Sequence, residues 1–172
     1  TAFKHLNDAI DYASDLFDPD SGFPIVGITI CVAEGTYYPD EGANQINDEQ
    51  TSIFSFPLSV SRIIGGFRGD EESLSQANPE IYVTTLSGLI YEEYGITDLG
   101  VDQLIYLYDN LLEGFVLVNK SNSSGTVVEG RNSSVSTLLN CRIVDSTSSS
   151  RILWRLKLEN CSIANCSSSN SI

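Results

Sequence analysis

Methionine is absent from this 172-residue chain, histidine and tryptophan occur once each, and nine lysines and arginines stand against 23 acids. A chain that begins at Thr1 with no methionine is expected to be a processed mature chain or an internal piece of a longer protein. With His5 as its one imidazole, the chain has little prospect of a Ser-His-Asp triad or a histidine-ligated metal, and a solvated or capping role is expected for it. The shortage of bases leaves a formal net charge of −14, which repels nucleic acid and anionic membrane surfaces. No apolar run approaches the length of a membrane-spanning helix. Hydrophobic residues nonetheless make up 41%, enough for a real core in one domain over 1–172.

The charge is unevenly placed. Residues 1–110 hold 19 acids and three bases (Lys4, Arg62, Arg68), whereas 111–172 hold four acids (Glu113, Glu129, Asp145, Glu159) and six bases. Patterning divides the chain similarly. Phe3, Leu6, Ile10, Ala13 and Phe17 recur at helical spacing, and "DPDSG" at 18–22 ends that pattern, so a helix is expected over 1–20. Residues 24–110 then switch to period two. Ile28, Ile30 and Val32 alternate with Thr29 and Cys31, and Phe54, Phe56 and Leu58 are expected on one face of "SIFSFPL". "RIIGGF", "IYVTTL", "QLIYLYD", "GFVLVN", "GTVVEG", "STLLNCRIV" and "RLKLENCSI" read as further short strands, with acidic loops between the earlier ones. "IYEEYGITDLGVDQ" at 90–103 reads as a surface excursion.

"LNCRIVDSTSSS" at 139–150 returns as "ENCSIANCSSSNS" at 159–171, twenty residues on. "LLEGFVLVNKSNSS" at 111–124 matches both if Phe115 is set on Cys141 and Leu117 on Ile143, a step of 26 with an insertion near "GTVVEGRNSS". Repeats of this length are the mark of a solenoid in which each repeat makes one turn on the last. The expected class is all-β, a right-handed parallel β-helix with an N-terminal capping helix and Ser/Asn-rich coils over 111–172. Phe115, Cys141 and Cys161 should form one inward column, with Leu117, Ile143 and Ile163 in the next.

"ICVAEGTYYPDEG", "SFPLSVSRIIGGFRGDEESLSQANP", "TTLSGLI", "LEGFVLVN", "NCRIVDS" and "NCSIANCSS" together resemble the pectate-lyase-like parallel β-helix surface proteins, a group of secreted bacterial and polymorphic outer-membrane-type adhesins. The resemblance covers roughly 5–170 and implies a helix capping the first coils. Leu89 stands where that family usually carries Asp, and "RILWRLK" replaces its glycine-rich element, so irregular later coils are expected.

Enzymes on such folds cleave acidic polysaccharides with Ca²⁺ and a basic residue. Asp145 with Arg142 or Arg151 is the best set available for that, and it lacks repeats at coil spacing. Acidic loops such as "PDEGANQINDEQ" could hold Ca²⁺, but none has the alternation of an EF-hand, so solvated surface is the expectation. The four cysteines have no zinc-like spacing. Cys141 and Cys161 are expected as a buried thiol stack, with a disulfide between them as the alternative, and Cys31 as unpaired. "FRGDEE" contains Arg68-Gly69-Asp70, read as part of a turn. Five sequons, at Asn119, Asn122, Asn132, Asn160 and Asn165, are glycosylation candidates, or else members of a polar turn ladder.

The function these features suggest is a non-enzymatic extracellular or cell-surface structural or adhesive module, with self-association, other surface proteins or glycans as partners and no nucleic acid. Subunits stacking head to tail, the acidic end of one near the less acidic end of the next, would build a fibre. A polysaccharide lyase or hydrolase fragment is the alternative. A carbohydrate-binding module is a third reading, with Tyr37, Tyr38, Tyr91, Tyr94 or Trp154 as stacking platforms.

Overall fold

A computed structural model describes residues 2–16, 25–93, 96–121, 125–132 and 135–170; over 91–93 and 96–99 it describes the backbone alone. The one α-helix among them runs Leu6–Ser14 and buries Leu6, Asn7, Ile10 and Ala13. It is shorter than the 1–20 expected. Phe3 lies before it, exposed, with its ring 5.3 Å from that of Tyr12. The helix closes on Asp15, whose N–H reaches back to the carbonyls of Asp11 and Tyr12. Phe17 falls outside the described residues.

The rest is short strands in parallel sheets. The first sheet orders Ile28–Ala33, Val60–Phe67, Leu111–Glu113, Ser136–Leu139 and Leu156–Glu159 side by side. The second orders Gly35–Tyr37, Thr84–Ser87, Phe115–Val118, Arg142–Val144 and Ser162–Ala164, and the third Phe54–Phe56, Ile105–Leu107, Val128–Gly130 and Leu153–Trp154. In chain order the strands visit first, second and third sheet in rotation, and each new strand pairs parallel with the one laid down a round earlier. A small pair, Thr147–Ser148 on Ser167–Ser168, is parallel too. The exception is an antiparallel hairpin of Leu89–Glu93 with Ile96–Gly100, which occupies the surface excursion of the sequence.

Pairing sets like on like. Leu86, Leu117, Ile143 and Ile163 stand in one row across the second sheet, Ile30, Ile63, Leu112, Leu138 and Leu158 across the first, and Phe54, Ile105, Val128 and Leu153 across the third. Apart from the exposed Leu158 and Ile163 at the last strands, these inner rows meet in one continuous core that also takes in Leu6, Ile10 and Ala13 of the helix. At roughly 25 cal/mol per Å² of apolar surface, each fully buried Leu, Ile or Phe of these rows contributes about 1.5–3 kcal/mol. Leu58 does not join Phe56 inside, being 61% exposed, because Pro57 ends its strand and turns the chain. Likewise Ile81 is exposed and the strand expected from "IYVTTL" begins only at Thr84.

Corners are made by residues in left-handed conformation. "STLLNCRIV" and "RLKLENCSI" each break into two strands at Asn140 (φ 54°) and Asn160 (φ 50°), and Gly114 (φ 77°) breaks "LLEGFVLV" at the same place one round earlier. Asn tolerates this backbone better than most side chains, and glycine adopts it freely. Asp145 (φ 48°) and Asn165 (φ 55°) repeat the arrangement at the next corner.

Candidate functional site

Inner rows of the third sheet leave an outer row, and strand register fixes its members. Ser55, Tyr106, Glu129 and Trp154 lie side by side on successive strands. Two strand steps separate Tyr106 from Trp154, about 9.6 Å at the usual spacing of 4.8 Å. The guanidinium of Arg131 lies over the Tyr106 ring, 3.7 Å from its centroid, and its Nε pairs with Glu129 at 3.1 Å. Arg151 lies over the Trp154 ring at 3.9 Å. Nearby, Arg155 donates to the carbonyl of Asn132 at 2.9 Å, and the Asn132 amide donates to Asp109 at 3.3 Å. Two arginines thus lie over aromatic rings of this outer row, where their N–H groups remain as donors. Such a face can grip ring-shaped polar ligands and oxyanions.

The positions singled out from sequence are spread more widely. Phe115, Leu117, Cys141 and Ile143 are buried, with Cys161 half-buried and Ile163 38% exposed, since among the described residues Ser162–Ala164 has a neighbouring strand on one side alone. Cys141 and Cys161 are neighbours as free thiols, not a disulfide, and Cys31 is free and exposed. Asn119 is one of the glycosylation candidates. It is fully buried, and its Nδ2, the atom a glycan would need, donates to the Val101 carbonyl at 2.9 Å. Asn160 and Asn165 are exposed, and their amides donate to Asn140 (2.7 Å) and Asp145 (3.0 Å) one round below, so the turn ladder and the sequons coincide. Asn132 is half-buried, and Asn122 lies outside the described residues.

Among the described residues no ion pair joins Asp145 to Arg142 or Arg151, and no group of three His, Cys, Asp or Glu side chains converges as a metal site. His5 faces Glu41 at 3.5 Å and lines a cleft of about 700 Å³ between the helix and Ile28–Ala33. In the Arg68-Gly69-Asp70 turn, Arg68 pairs with Asp70 at 2.6 Å, and the backbone N–H groups of Arg68 and Gly69 donate to Glu71. Those bonds hold the Glu71 carboxyl below its ordinary range. Tyr37 is half-buried and donates its hydroxyl to the Ala33 carbonyl at 3.2 Å, and burial pushes its pKa up. Tyr38 is half-buried, the Tyr91 side chain is not described, and Tyr94 lies outside the described residues.

Tyr106, Glu129 and Arg131 carry the outer face and sequence reasoning passed over them. The signal was present for Tyr106, which alternates with Ile105 and Leu107 and so had to point outward. No helix among the described residues is long and apolar enough to cross a membrane. No family model, no curated protein and no solved structure matches this chain.

Proposed function

We propose that the chain is a right-handed parallel β-helix serving as an extracellular structural and adhesive module, of the kind its sequence resembles in pectate-lyase-like surface proteins. The observation that carries this reading is the rotation of short strands through three parallel sheets with like residues stacked on like. Parallel crossovers within a sheet are right-handed in about 98% of cases, which supports a right-handed coil. A scaffold so built has every turn templated by its neighbour, resists deformation along its axis, and repeats its outward residues at strand spacing. Adhesion follows from the outward row of Tyr106, Glu129 and Trp154 with Arg131 and Arg151.

A glycan is the partner this face favours. Two rings two strands apart, each backed by a guanidinium, suit an extended sugar chain laid along the stack, with hydroxyls or carboxylates meeting the arginine rims. Retention of the chain on immobilised polysaccharides, uronate polymers included, with and without Ca²⁺, is the test. Retention without cleavage is expected, falling about tenfold or more for the double variant Tyr106→Ala, Trp154→Ala. Cleavage of the polymer would replace this reading with that of a lyase or hydrolase fragment. Failure to be retained by any glycan would remove the adhesive face. Self-association into a head-to-tail fibre is tested separately by sedimentation at varied salt, where a strictly monomeric chain at high concentration counts against it.

A further inference from the structure

Cys141 and Cys161 occupy the same place on adjacent parallel strands, each one residue ahead of the paired Arg142 and Ser162. Neighbours of this kind sit about 4.8 Å apart at Cα, inside the range of roughly 4.4–6.8 Å that a disulfide spans. The two are already in contact. The backbone N–H of Cys141 donates to Cys161 Sγ at 3.4 Å, and the Ser162 N–H donates to the Cys141 carbonyl at 3.0 Å, which fixes the strands on either side of the sulfurs. Their environments differ. Cys141 is 1% exposed, its thiol turned to the carbonyls of Leu112 and Leu139, while Cys161 is half-buried. Cys166 turns away toward the Ile143 carbonyl, 3.6 Å from its sulfur.

We propose that Cys161 and Cys141 form a thiol–disulfide exchange pair, Cys161 attacking and Cys141 resolving, which staples two successive strands when a small-molecule disulfide is present. Cys161 as thiolate attacks one sulfur of the external disulfide, whose S–S bond breaks and releases one thiolate. Cys141 then passes its proton to the thiolate just released and attacks Cys161 Sγ, releasing the second thiolate. The cysteines lose two electrons, and the external disulfide becomes two thiols. Attack by Cys161 is favoured because it is the more exposed of the two, and because the Cys141 side chain beside it, with the Cys141 N–H bonded to its sulfur, holds its pKa below that of a free thiol against burial and the nearby Glu159, while the same neighbour and burial raise that of Cys141.

The test exposes the folded full chain, carrying Cys31→Ser, to oxidised glutathione and maps the products by mass spectrometry. The expected product lacks two hydrogens, links Cys141 to Cys161, and melts at higher temperature than the reduced chain. Cys141→Ala should stop at a stable glutathione adduct on Cys161, and Cys161→Ser should leave Cys141 reduced; circular dichroism shows that each variant is folded. Cys166→Ser should leave the bridge unchanged. A bridge from Cys161 to Cys166, a Cys161→Ser chain that oxidises as fast as its parent, or a folded parent that keeps all its thiols would each overturn the proposal.

Discussion

At Asn140 the chain does two things that most residues cannot do together. It takes a left-handed backbone, φ 54°, and offers its Oδ1 to the Asn160 amide 2.7 Å away. A side chain with Cβ but no local polar group loses about 1–2 kcal/mol in that conformation. The side-chain hydrogen bond adds about 1 kcal/mol more, though at an exposed corner it counts for less. Asn140→Ala is therefore expected to cost about 1–3 kcal/mol in urea unfolding. Asn140→Gly should lose the hydrogen bond alone and cost less than the alanine variant. Equal costs for the two would remove backbone strain as the reason asparagine stands at this corner. The paired sequons at Asn160 and Asn165 were legible as text, whereas the burial of Asn119 was not. An Asn-x-Ser triplet looks the same whether its amide faces water or a neighbouring carbonyl.

At the scale of elements, the antiparallel strands Leu89–Glu93 and Ile96–Gly100 leave the second sheet and return beside it, and Asn119 fills the space at their base. Glycines at 88 and 100 make this possible. A Cβ on Gly88 would stand 2.3 Å from Asn119 Oδ1 and 2.8 Å from Val101 Cγ2, and one on Gly100 would meet Asn119 and the Lys120 backbone still more closely. Gly88→Ala should cost about 1–3 kcal/mol by overpacking. Combined with Asn119→Ala, which removes the nearest clashing atoms, the loss should be less than the sum of the two single losses, a positive coupling in a double-mutant cycle. Additive losses would mean that the Asn119 side chain is not what excludes Cβ there. Strand existence in this region could be read from alternating residues. Strand ends could not, because Pro57, Asn140 and Asn160 turn the chain inside runs whose hydrophobic pattern continues.

Over the whole molecule, the charge distribution opposes the fold. Residues 1–110 concentrate 19 acids with three bases, so acidic loops of successive rounds repel one another. Raising monovalent salt from about 10 mM to 150 mM shortens the screening length from roughly 30 Å to 8 Å and should raise the melting temperature. A melting temperature that fell instead would show that ion pairs such as Arg62–Glu113, 3.2 Å apart, outweigh the repulsion. The offsets of 26 and 20 residues between Phe115, Cys141 and Cys161 were visible in the repeated text, and the same offsets relate Val116, Arg142 and Ser162 as paired residues.

By itself the sequence determined the strand-rich class, the N-terminal helix and the rows of like residues, because these follow from local periodicity and from repetition at fixed spacing. Tertiary structure alone decided which outward residues meet. Tyr106, Glu129 and Trp154 are 23 to 25 positions apart in the chain and belong to rounds of unequal length, so their common row exists only once the strands are in register. The same holds for Asn119, whose side chain meets the Val101 carbonyl just past a hairpin. Hydrophobic pattern is written along the chain, whereas contact across strands depends on loop lengths that the pattern does not encode.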